Sequence, residues 1–145
     1  MSEPLETLKD LPSPYEPHRA TGLLHLPRFI AKIRKHLANE LPKSYQRNFC
    51  RGFDGFLCAH LDLEPQQLVD LVRMHGDDPE ALEAALGALL PQDCKPAVWN
   101  RKVVQMGMSE MGREALEKAK ASVGGAARAD VICFCDVIDF DEGRL

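Results

Sequence analysis

After Gly22 the chain sets down apolar side chains at helical spacing. With Arg28 at the origin and about 100° per residue, Leu26, Phe29, Ile30, Ile33, Leu37 and Leu41 fall within one arc of roughly 120°. Arg28, Lys32, Lys35 and Asn39 cluster on the opposite side. This predicts an amphipathic helix with Pro27 in its first turn and Pro42 at its end. A second apolar segment, Phe53 to Leu61, becomes helical past Gly55. Glu64-Pro65 opens a helix carrying Leu68, Val69, Leu71 and Val72, which Gly76 closes in left-handed conformation. Asp78-Pro79-Glu80 combines a capping carboxylate, a proline at the first helical position and an acid at the positive end of the dipole. Leu82, Leu86 and Leu89 form that helix's stripe, and Pro91 stops it. A further helix runs from Pro96 to Met106 around Val98, Trp99 and Val103. Ser109 caps the next, with Met111, Ala115, Leu116, Ala119 and Val123 on one face and the pair Gly124-Gly125 at its end.

Residues 130–140 are ambiguous. VICFCDVI has strand composition, yet Val131, Phe134, Cys135 and Ile138 form a helical stripe behind Asp130 as cap. Helix is the favoured reading. The predicted fold is all-α, a compact single-domain bundle of six to seven short helices spanning residues 21–145. Ahead of it, four prolines within 17 residues predict an extended arm over residues 1–20.

Composition narrows the setting. The chain has 145 residues, 45% of them hydrophobic, and a net charge of −4, as expected of one acidic globular domain. Five cysteines at scattered spacing, no signal-peptide pattern at the start and no long apolar run predict a cytoplasmic protein with reduced thiols and no membrane contact. Charge is unevenly divided. Residues 17–60 hold eight Lys/Arg against two acids, whereas residues 61–145 hold nine against sixteen.

Several segments carry a family resemblance. Residues 22–34, GLLHLPRFIAKIR, then Gly52-Phe53-Asp54-Gly55-Phe56-Leu57, Trp99-Asn100-Arg101 and the closing Asp136-Val137-Ile138-Asp139-Phe140-Asp141-Glu142-Gly143-Arg144 occur in order. Together they resemble the bacterial domain of unknown function 5069 family over about residues 10 to 144. The resemblance implies a small helical bacterial protein and transfers no activity or catalytic residue.

Candidate chemistry therefore rests on the residues. Arg28, Lys32 and Lys35 place three cations on one helix face, where a phosphate, a carboxylate or an acidic partner protein could dock. The competing reading pairs them internally with the acidic run Asp136, Asp139, Asp141 and Glu142. Asn100 and Arg101 beside Trp99 either bind something or tie helices together. Asp54, Asp139 and Glu142 are the candidate acids. A thiol nucleophile is conceivable only by pairing distant residues, such as Cys50 with His25 or His60. Cys133 and Cys135 would point apart on a helix and together on a strand, so a helix there leaves no metal site. No cofactor motif is present, and the basic residues lack the aromatic interleaving and reading motifs of nucleic-acid binders. Two functions fit. One is a non-catalytic binding or adaptor module using the basic face. The other is a small enzyme acting on a phosphorylated or carboxylated metabolite, with an aspartate such as Asp54 or Asp139 as proton shuttle.

Overall fold

The computed structural model describes residues 7–145 as an all-helical structure, with eight helices among them. These are α1 (Leu26–Leu37), α2 (Lys43–Gln46), α3 (Phe53–His60), α4 (Pro65–His75), α5 (Pro79–Leu89), α6 (Pro96–Gln105), α7 (Glu110–Ser122) and α8 (Phe134–Asp141). The start signals act as expected where side chains cap. Asp78 accepts from the amides of Glu80 and Ala81, and Ser109 from that of Gly112. Glu64 and Gln67 form a reciprocal capping box. Gly124, at φ +81°, lies just past the end of α7 in the left-handed conformation glycine favours.

The structure differs from the periodicity at five points. Helix α1 stops at Leu37 rather than running to Pro42. Asn39 turns left-handed at φ 59°, and the Glu40 amide returns to the Lys35 carbonyl at 2.7 Å. Gly76 is right-handed, with φ −60° and ψ −24°. It is needed for closeness instead, because a Cβ there would meet the Val72 carbonyl oxygen at 2.5 Å. Helix α3 begins before Gly55, and the single turn α2 is the additional helix. Helix α8 starts at Phe134 with Cys133, not Asp130, preceding it in extended conformation. The cysteines therefore share no helical face. Cys133 Sγ meets the Tyr15 hydroxyl at 3.1 Å, and the Cys135 thiol donates to the Val103 carbonyl.

Two apolar cores result. The larger joins α1, α3, α4, α5 and α6 through Leu26, Phe29, Ile33, Leu57, Leu68, Leu86, Trp99 and Val103, all buried. Each such aliphatic or aromatic side chain contributes about 1.5–3 kcal/mol on leaving water. The smaller gathers Leu116, Val131 and Val137 with Phe140 where α7 meets α8. Val98 and Met111, expected inside, are 42% and 95% exposed. A helical stripe is wider than the surface its neighbours cover.

Residues 1–6 of the predicted arm lie outside the described residues; residues 7–20 pack on the bundle. Leu11 is buried, Ser13 donates to Asp139, Tyr15 donates to Asp136, and Asp10 pairs with Lys35. One isolated antiparallel bridge joins Pro17 to Leu24, just ahead of α1.

Candidate functional site

The cationic side of α1 does not face solvent. Arg28 and Lys32 are 4% and 5% exposed. A charge that far from water must be matched by an opposite one. Arg28 donates through both terminal nitrogens to Glu142, at 2.8 and 2.7 Å, and also to the Pro12 carbonyl. Tyr45 and Arg144 complete the shell around the same carboxylate, at 2.9 Å each. Burial alone would push the Glu142 carboxyl up. The bonds and charge of Arg28, with Tyr45 and Arg144, outweigh that and hold it below the usual range.

One turn on, Lys32 Nζ meets Asp54 Oδ2 at 2.7 Å, and the Cys50 amide donates to that oxygen at 3.0 Å. Asp54 Oδ1 lies 2.6 Å from His25 Nε2. Asp54 is wholly buried. Burial works to raise its carboxyl, and the His25 bond with the Lys32 charge overcomes this, so it stays ionised. His25 moves the other way from its own reference. Desolvation depresses the imidazole more than the Asp54 bond raises it, so the ring is neutral at pH 7. A neutral imidazole beside a carboxylate gives it the N–H, so the proton sits on Nε2 and Nδ1 holds a bare lone pair. Nδ1 is a buried side-chain polar atom with no hydrogen-bond partner among the described residues.

The backbone around His25 is held with equal care. His25 precedes α1 at φ 72°, a strained conformation for a side chain of this size. The loop before it is clamped from α6. Asn100 accepts from the Leu24 amide and donates to the Gly22 carbonyl, at 3.0 Å each, while the Trp99 indole donates to the Leu24 carbonyl at 2.8 Å.

His25, Arg28 and Lys32 line a cavity of about 1080 Å³ running between the two cores. Helices α2, α3, α6, α7 and α8 supply the other walls. Its lining includes Arg47, Arg51, Lys102, Asp141 and Glu142 together with Phe134, Val137 and Ile138 of α8. The Lys102 ammonium lies 3.1 Å from Nδ1 of His60, which is outside that lining. The Asp141 carboxyl is raised by partial burial and by the neighbouring Glu142 charge.

Each residue singled out in the sequence now has a place. Arg28, Lys32, Asp54 and Glu142 converge at the cavity wall, already paired with one another. Lys35 is turned away to Asp10. Asn100 ties α6 to the loop that carries His25, and Arg101 is exposed on α6 outside the cavity lining. Asp139 is bound by Ser13 and Arg144. Cys50 shares Asp54 with His25, and its thiol is raised by burial and by the Asp54 charge. Among the described residues no cluster of His, Cys, Asp and Glu could hold a metal ion. His25, Tyr45, Arg47 and Arg51 were not selected by periodicity. In the sequence His25 figures as a conceivable distant partner of Cys50 and as part of the segment 22–34, immediately before the Leu26-Pro27 helix start.

The fold and site thus define a small helical protein whose central cavity carries a buried carboxylate–imidazole pair. The chain belongs to the family Domain of unknown function (DUF5069), whose model matches residues 9–144. No curated protein matches it. Among the described residues no helix is long and apolar enough to cross a membrane.

Proposed function

We propose that this protein is a small enzyme that admits a phosphorylated or carboxylated metabolite to the cavity and uses His25, oriented by Asp54, as a general base. One observation carries the reading: a neutral, buried imidazole lines a large cavity while its Nδ1 stays unpaired. Leaving a buried polar atom unsatisfied costs about 1–3 kcal/mol. A fold that also strains the backbone at that residue is spending stability on a reactive group. In the step envisaged, a C–H or O–H bond of the ligand breaks, the proton goes to Nδ1, and the electron pair stays on the ligand atom. Asp54 then faces an imidazolium, which its charge stabilises. This replaces Asp54 as shuttle with Asp54 as the positioning residue. An adaptor with an open basic ridge is the weaker reading, because Arg28 and Lys32 are buried in ion pairs. A cytoplasmic, reducing setting fits the five free thiols.

Bromoacetate tests the base directly, since it carries a carboxylate beside an electrophilic carbon. With thiols reversibly blocked, His25 is alkylated at Nδ1 faster by bromoacetate than by neutral bromoacetamide, a preference that His18, His36, His60 and His75 do not share. Peptide mapping that finds the other four modified and His25 spared would overturn the assignment.

A further inference from the structure

The cavity's two kinds of wall narrow the ligand further, an inference that rests on the reading above for the position of the reacting group. Within the lining, Arg28 and Glu142 cancel, and Lys32 is cancelled by Asp54 behind it. Arg47, Arg51 and Lys102 enter no ion pair among the described residues, Lys102 being hydrogen-bonded to His60, and Asp141 is the remaining acid of the lining. Three cations against one acid leave a net of two positive charges, which matches the charge of about −1.5 to −2 on a phosphomonoester at pH 7. Arginine's planar fork suits phosphate oxygens two at a time.

A bare phosphate would nevertheless leave nearly all of the space empty. At about 1080 Å³ the cavity is at the upper end of small-molecule sites, which run to about 1,000 Å³. Its lining also carries a set of apolar side chains. Phe134 and Ile138 are only half-buried although their neighbours on α8 are covered, so apolar surface is left open to the cavity. Phe56, on α3 in the same lining, is 56% exposed. A polar sugar phosphate would satisfy the arginines and waste this surface. We infer that the ligand is an amphiphilic phosphomonoester, its phosphate held by Arg47 and Arg51 and its apolar body lying against Phe134, Val137 and Ile138.

Calorimetric titration of the full chain with octyl phosphate, inorganic phosphate, octanoate and octanol separates the contributions. Octyl phosphate binds at least about tenfold more tightly than any of the other three, a gap of about 1.4 kcal/mol or more. The R47A/R51A double variant loses about tenfold or more for octyl phosphate. Ile138→Glu, at a half-buried position that tolerates substitution, brings octyl phosphate down towards inorganic phosphate. Circular dichroism checks that both remain folded. Equal affinity for octyl and inorganic phosphate, or an unchanged R47A/R51A variant, would overturn the inference. So would capture by phosphatidic-acid vesicles without binding of soluble octyl phosphate, because a charged membrane surface would then be the target. Octyl phosphate titration and bromoacetate mapping of the native chain together separate the two readings. Binding without His25 reactivity removes the base and leaves the ligand class standing; reactivity without binding does the reverse.

Discussion

Replacing Lys32 by methionine should reverse the pH response of one buried histidine. In the native protein the wholly buried Asp54 faces the Lys32 ammonium at 2.7 Å and the His25 N–H at 2.6 Å. Lysine supplies the compensating charge for Asp54, and desolvation, helped by that lysine charge, keeps His25 neutral with its pKa depressed. A depressed histidine binds fewer protons folded than unfolded below its ordinary value. Its contribution to stability is therefore complete above about pH 6.5 and is lost as the pH falls. Methionine fills the space of the lysine stem but leaves a buried carboxylate without its cation, at a cost of about 3–5 kcal/mol near pH 8. The nearest remedy is a proton on His25. Its folded pKa then rises above 6.5, and its contribution becomes one that is present at low pH and lost as pH rises. The gap between native and K32M should thus narrow on acidification, by up to about 1.4 kcal/mol per pH unit for each proton taken up. Guanidinium melts of both proteins between about pH 5 and 8 measure the gap, and imidazole NMR follows His25 itself. Comparison with the native protein removes the depressed His18 and His60, which contribute alike to both. Parallel stability profiles, or a His25 that stays neutral in K32M, would refute the argument.

Three further outcomes follow from the same contacts. Glu142→Gln strips the charge from Arg28 in a buried pair, and should cost about 3–5 kcal/mol, lowering the melting temperature by about 6–20 °C. Asn100→Ala removes both clamps on the Gly22–Leu24 loop; it should cost about 1–3 kcal/mol by denaturant melts and slow bromoacetate capture of His25 as its backbone relaxes. Leu11→Ala, in the segment ahead of the bundle, should cost about 2–5 kcal/mol, whereas a loosely attached arm would show almost no change.

Local signals carry a long way in this chain. Helices α4, α5 and α6 open on a proline and α7 directly after the capping Ser109, and their starts are read directly from Glu64-Pro65, Asp78-Pro79, Pro96 and Ser109. The segment 130–140 is decided as helix only in its second half. Its short helix meets both α6 and α7, so neither a single stripe nor strict alternation describes which of its side chains are covered.

The site was less legible, and Arg28 shows why. Periodicity locates its side of α1 correctly and cannot say what stands opposite. Glu142 reaches it from 114 residues away, and Asp54 reaches Lys32 from 22. A charged arc is called solvent-facing by default because burial of an unpaired charge is prohibitive. Only the excess of bases in residues 17–60 over acids later in the chain hinted at internal pairing. His25 left no trace of this kind. Its importance arises from an absent partner, and an absence at one nitrogen has no counterpart in a string of residues.

The clamp between Arg28 and Glu142 also bears on how the molecule comes into being. Translation delivers α1 early and residues 139–144 only after the seven preceding helices have been made. Until Glu142 emerges, Arg28 has no carboxylate to meet, and the wall it forms with Tyr45 and Arg144 cannot close. A growing chain therefore carries the imidazole but not the finished chamber.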